Sequence, residues 1–138
     1  MTEPTPAPKK RRRGMKTTAR SLRWCKRKGY DAALVERRLP RGFTTVDAFG
    51  FIDIICMDPF DGVLAIQACG ATDVQPHMAK LAAEKRALRW LARKNRLVIH
   101  SWRKLRRGKV AWRWAVRIIE ARLEAGVIVW HEVEETER

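Results

Sequence analysis

Several things are scarce in this sequence. There are only three cysteines, Cys25, Cys56 and Cys69, with no CxxC spacing. Neither a disulfide framework nor a zinc site is expected, and a reducing cytosol is the natural setting. No apolar run approaches the roughly 20 residues of a membrane span, and the N-terminal stretch lacks a signal-peptide core. The sequence has no glycine-rich phosphate loop, which speaks against nucleotide hydrolysis. It has no Ser/His/Asp or Cys/His signature, and His77, His100 and His131 lack metal-ligand spacing. Each histidine is expected at the surface or half-buried, with His77 close enough to Lys80 on one helix turn to reach a phosphate. Basic residues are missing altogether from 47–78.

What is present is a 138-residue chain with 46% hydrophobic residues, enough for one domain with a real core. Thirty Lys and Arg stand against fifteen Asp and Glu, a net charge of +15. Self-repulsion on that scale points to a polyanionic partner rather than a merely soluble surface. The charge is segregated: residues 1–46 carry a net +11, 47–78 a net −5, 79–117 a net +13 and 118–138 a net −4. An acidic island between basic flanks suits a cation site inside a phosphate-binding surface. Strands joined by Asp-bearing turns would give the same pattern.

Residues 1–16 pair three prolines with the run KKRRRG and read as a mobile basic tail, an arm for nucleic acid in preference to a localisation signal. Thr17 or Thr18 is expected to cap a helix through Lys28, with Gly29 as its stop and Ala19, Leu22 and Cys25 as its buried stripe. YDAALVERRL then reads as a strand closed by a turn at Pro40-Arg41-Gly42. FTTVDAFGFIDIICM reads as a second strand region, and a turn at 58–62 leads into VLAIQACG as a third. A helix over 76–94 follows, with Pro76 in its first position, Asn95 at its end, and Leu81, Ala87, Leu88, Trp90 and Leu91 on its apolar face. RLVIHSWRKL and VAWRWAVRII are strands about the Arg107-Gly108-Lys109 turn. EAGVIVWHEVEE is left open between an edge strand and a short helix. The order α-β-β-β-α-β-β predicts an α/β domain over 17–138, a central mixed sheet flanked by helices.

Asp53 is the most informative residue. An ionised carboxylate inside an apolar strand costs several kcal/mol unless it is paired, hydrogen-bonded or metal-bound. Strand alternation would set Asp47, Phe49, Phe51, Asp53 and Ile55 on one face. If the 58–62 turn closes a hairpin, Gln67 comes near Asp53. A carboxylate and an amide oxygen suit Mg²⁺ or Mn²⁺. The competing reading pairs Asp53 with an arginine and lets Gln67 satisfy the backbone.

An Asp after "GF", a hairpin, and a short apolar strand bearing a polar residue resemble the restriction-endonuclease-like superfamily. Its motif is Asp, a hairpin, then Glu-x-Lys, with a helix before and another after. The closer resemblance is to small phage and bacterial Holliday junction resolvase-like proteins, carried by RSLRWCKRKGYDAALVERR, DAFGFIDII, GVLAIQACG, LVIHSWRK and the later Trp-rich strand. It spans about residues 18–120. The resemblance implies a restriction-endonuclease-like fold, a Mg²⁺- or Mn²⁺-dependent endodeoxyribonuclease acting on branched DNA, a homodimer, and the cytoplasm of a prokaryote or phage-infected host. Asp53 would bind metal. Gln67 stands in the Glu position as the other metal ligand and Cys69 in the Lys position, both departures from the motif. Glu36 is then a candidate second carboxylate, with Asp47 assisting, and Lys104 or Lys80 a migrated ammonium.

Nucleic-acid contacts are expected from Lys9, Lys10, Arg11, Arg12 and Arg13 of the tail, from Arg20, Arg23 and Arg27, and from Lys80, Arg103, Lys104, Arg106 and Arg107. A basic helix end of Arg89, Arg93, Lys94 and Arg96 adds non-specific phosphate contacts. Trp112 and Trp114 share a strand face and either belong to the core or stack unpaired bases. Two other readings stand beside the endonuclease. One is a binding module, for DNA or RNA, that has lost cleavage. The other is a basic structural protein of a nucleoprotein assembly.

Overall fold

A computed structural model describes residues 15–40, 45–57, 62–108 and 110–133. The described residues form a mixed α/β structure of three helices and a six-stranded mixed sheet, with a small two-stranded sheet beside it. The elements run α1 (Thr17–Arg27), β1 (Asp31–Leu34), β2 (Arg37–Arg38), β3 (Thr45–Val46), β4 (Ile54–Met57), β5 (Val63–Gly70), α2 (Val74–Ala82), α3 (Lys85–Ala92), β6 (Arg96–Arg107), β7 (Val110–Glu124) and β8 (Val127–Val133). The large sheet has the order β1-β4-β5-β6-β7-β8. Only β5 and β6 are parallel, because α2 and α3 carry the chain back between them.

β5 is buried from Leu64 to Cys69, as a strand covered on both faces must be. One face, with Ile54, Cys56, Leu64, Ile66, Val98 and Trp102, packs under α1 through Trp24 and Cys25. The other, with Ala65, Cys69, Leu97, Ile99, Ile119 and Ala121, is covered by Leu81 of α2 and Ala87 of α3, together with Phe51 and Ile52. Helices therefore lie on both faces of the sheet, as the sequence predicts.

Several boundaries differ from that expectation. α1 starts after Lys16 with no side-chain cap, so Thr17 and Thr18 lie inside its first turn. Its buried side is Ser21, Trp24 and Cys25, and Ala19 is exposed. A large indole displaces the smaller stripe because it fills more of the space against the sheet. The strand expected over 30–39 is broken: Val35 donates to the Asp53 carbonyl (2.9 Å), and the chain turns away to form β2. The expected second strand is broken too. Phe49 (φ 53°) and Gly50 (φ 78°) make a left-handed turn closed by the Ala48–Ile52 bridge, so 47–53 does not alternate. Gly50 is favoured by its left-handed φ, and a Cβ there would stand 2.5 Å from Arg86 Nη2, so that side chain would have to move. The helix expected over 76–94 is two helices. Glu84 is extended and its side chain accepts the Arg86 N–H (3.2 Å), which starts α3 afresh. Pro76 is the third residue of α2, still within the turn whose N–H groups have no helical partner. The C-terminal segment is edge strand β8, and β7 runs on to Glu124 to pair with it.

Candidate metal centre

The site is built where two pairings run out. β2 pairs with β3 through Arg37↔Val46, so one further step sets Glu36 across from Asp47. The β4–β5 ladder ends at Ile54↔Ile66, and its continuation sets Asp53 across from Gln67. Asp53 is therefore at the entry to β4 and not inside it, but it is no less fixed. Its N–H donates to the Ile66 carbonyl (3.1 Å), its carbonyl accepts from Val35, and its Oδ2 accepts the Ala68 N–H (2.9 Å). Two bonds thus fix the Asp53 backbone, and a third, from the Ala68 N–H, holds its buried carboxylate.

Oxygens of Glu36, Asp47 and Asp53 all lie within 4.8 Å of one another. Burial and a hydrogen bond with Asp47 push the Asp53 carboxyl up to about 8, against the pull of the Ala68 N–H. Burial and the Asp47 charge raise Glu36 as well, opposed by Lys16. Without a cation the three cannot all be ionised cheaply. Gln67 is fully buried and its Oε1 has no hydrogen-bond partner among the described residues. Such an orphaned acceptor is rare in a folded protein. Three crowded carboxylates form an all-oxygen, net-negative donor set that could hold a hard divalent cation, with the unpartnered Gln67 Oε1 on the strand next to Asp53. The donor set fits Mg²⁺ or Mn²⁺ without selecting between them.

Lys80, on α2, has its Nζ 3.9 Å from Asp47 Oδ2. Lys104 does not join this group. Val98, His100 and Trp102 of β6 face α1, and alternation puts Lys104 with them, on the other side of the sheet from α2. Of the two lysines, it is therefore Lys80 that lies beside the carboxylates. Cys69 is buried, and desolvation with the charges of Asp73 and Asp53 raises its thiol to about 11, so it is neutral. Next to Asp47 a cleft of about 430 Å³ is walled in part by Arg37, Phe49 and Arg86. Phe49 and Arg86 also border a second cavity of about 290 Å³ that reaches Arg89 and Arg93. The sequence does not mark Arg37, Phe49 or Arg86 as residues of this site. The Phe49-Gly50 pair ahead of Asp53 was the one local sign of a turn there.

The remaining expected residues are spread over the surface. Arg23 and Arg27 are exposed on α1, and Arg103, Lys104 and Arg106 are exposed on β6. Arg107 ends β6. Arg20 lies over the Trp114 ring at 3.8 Å. Lys9, Lys10, Arg11, Arg12 and Arg13 lie outside the described residues, as do Arg41, Gly42 and most of the 58–62 turn. His100 is fully buried rather than superficial. Ser21 Oγ accepts the Trp102 indole N–H (2.8 Å) and is 2.9 Å from His100 Nδ1, and burial lowers the imidazole to about 3. His77 is half-buried and lowered by desolvation and Lys80.

No helix among the described residues is long and apolar enough to cross a membrane. No family model matches the chain, and no curated protein and no solved structure matches it either.

Proposed function

We propose that this chain is a restriction-endonuclease-like protein that hydrolyses phosphodiester bonds in DNA with Mg²⁺ or Mn²⁺. The observation that carries this is the meeting of Glu36, Asp47 and Asp53 within 4.8 Å, with Asp47 lining a cleft that Arg37 and Arg86 also border. The order of parts is also that of the resemblance: a helix, then Asp53, a β4–β5 hairpin and a following helix. Glu36, Asp47 and Asp53 would hold the cation, with Gln67 offering its unpartnered Oε1. A bound divalent ion supplies Lewis acidity toward a phosphate oxygen and makes water a nucleophile near neutral pH. The Ala68 N–H keeps Asp53 oriented, and the Lys80 ammonium sets a positive charge beside the carboxylates where a phosphate gathers negative charge. Arg37 flanks the approach and would hold the backbone of the substrate, beside Arg86, whose guanidinium is paired with Glu84. Branched DNA is the substrate that the resemblance favours, and a homodimer would present two such sites to one junction.

A second reading, a nucleic-acid-binding module on the same fold without cleavage, is favoured by one observation. Gln67 and the neutral, buried Cys69 stand where Glu and Lys are expected. The two readings part in one experiment: labelled four-way junction, flap and linear duplex DNA with Mg²⁺ or Mn²⁺, for the native chain and Asp53→Ala. Metal-dependent nicking lost in the variant supports the endonuclease. Tight, salt-sensitive binding with no cutting by either protein supports the binding module.

A further inference from the structure

β5 ends at Gly70, opposite Trp102 of β6, while the β6–β7 ladder continues past that point. Beyond Trp102 the two strands therefore form, among the described residues, a two-stranded ribbon. Directly paired residues project to the same side of such a ribbon. Lys104 is paired with Trp114 and Arg106 with Trp112, so two indoles and two cations share one face. The Lys104 ammonium is 5.3 Å and the Arg106 guanidinium 5.6 Å from the centre of the Trp112 ring. Arg20 of α1 reaches the same face and stacks on Trp114. Trp112 is 55% and Trp114 41% exposed, whereas Trp24 and Trp102 are buried and Trp90 and Trp130 are half-buried. Folding gains little from indoles left in water, and here each is framed by permanent positive charge.

The character of that frame selects the occupant. The core of a protein–protein patch is depleted of charge, whereas here every indole is interleaved with it. The sequence from Lys85 to Ile119 contains no acidic residue, so the ribbon brings no counter-charge of its own. A duplex offers phosphates but keeps the faces of its bases stacked against one another. A single strand offers both phosphates and free base faces. We propose that this ribbon binds unpaired nucleotides, with Trp112 and Trp114 as stacking platforms and Arg20, Lys104 and Arg106 as phosphate contacts. It rests on the reading of the chain as a nucleic-acid-binding protein but not on the carboxylates, which lie toward α2, across the sheet from this face.

The test is fluorescence anisotropy of the full chain with labelled oligo-dT, and with a duplex of equal length, in EDTA. Trp112→Ala and Trp114→Ala are each expected to weaken oligo-dT binding about 5- to 150-fold, the range of one base–aromatic stack. Duplex affinity should change less than about twofold, since base faces in a duplex are already stacked. Trp112→Phe should keep most of the oligo-dT affinity, which separates stacking from a folding defect. Lys104→Gln with Arg106→Gln should flatten the salt dependence by about 0.7 per cation lost. Ribbon-dependent oligo-dT binding by a native chain that cuts no DNA with Mg²⁺ or Mn²⁺ would support this site while the endonuclease reading failed. Unchanged oligo-dT affinity in the Trp112→Ala/Trp114→Ala double variant would overturn the proposal. Equal losses on single strand and duplex would overturn it as well.

Discussion

Asp53 is held by three main-chain bonds in a place where its charge is unwelcome. Its folded-state pKa of about 8 lies above the ordinary 3.8, so between those values the metal-free native state keeps a proton that the unfolded chain has released. Stability of the metal-free protein should therefore fall as pH rises through that window. Asp53→Asn retains an oxygen for the Ala68 N–H but no charge. The variant is expected to be more stable than the native chain at pH 8 in EDTA, by on the order of 1–3 kcal/mol in urea melts. Mg²⁺ should raise the native midpoint and leave that of the variant unmoved. A less stable variant at pH 8 would contradict a crowded, unwilling charge. His100 works in the opposite sense. Its pKa is lowered to about 3, so the unfolded chain takes up a proton below about 6.5 that the native state refuses, and stability is lost on acidification from there toward pH 3. Ser21→Ala would leave both His100 Nδ1 and the Trp102 indole N–H without this partner, at a cost of about 1–3 kcal/mol in urea denaturation at pH 7. A cost below about 0.5 kcal/mol would contradict that role.

Two elements end on residues ill-suited to their backbone. Lys94 follows the last turn of α3 at φ 65°, and Ala125 opens the β7–β8 turn at φ 49°. Left-handed backbone costs roughly 1 kcal/mol with an ordinary Cβ, and is the place for Gly or Asn. Lys94→Gly and Ala125→Asn, the latter giving the Asn-Gly pair that two-residue hairpins favour, should each stabilise by about 0.5–1 kcal/mol in thermal melts. A loss of stability at either site would mean that the turn is held by something other than its local geometry. These endings also mark the limits of reading elements from sequence. The expected stop of α3 at Asn95 misses by one residue because nothing in a lysine advertises a left-handed position. The break between α2 and α3 is hidden by Ala82 and Ala83, both good helix formers, and comes from Glu84 capping the next helix. The break in 43–57 is hidden by the left-handed Phe49. β5, β6 and most of β7 are legible because burial on two faces and alternation leave continuous patterns in the chain.

On the scale of the whole molecule, which residues share a side of the sheet is fixed by pairing. Asp53 can be singled out in the sequence as a carboxylate in an apolar run, whereas Glu36 enters only through the resemblance and Asp47 only as its assistant. Their meeting depends on the β2–β3 register and on the turn that brings β3 back to β4. Lys104 looked equivalent to Lys80 until the face of β6 was set by Val98, His100 and Trp102 against α1. The segregation of charge was legible in full, and it has a consequence at this scale. If the +15 chain binds DNA through several phosphates, its affinity should fall by about 10³-fold or more between roughly 50 and 200 mM salt, as measured by anisotropy. A flat salt dependence would remove phosphate contacts from the account.

The most direct test of the carboxylate centre is the single-turnover cleavage rate of a labelled four-way junction as Mn²⁺ is titrated, for the native chain and for Asp53→Asn at matched DNA occupancy. A rate that rises and saturates with metal in the native chain, and stays at background in the variant while binding is kept, is the predicted result. Equal rates in the two proteins, or cutting that persists in EDTA, would contradict it.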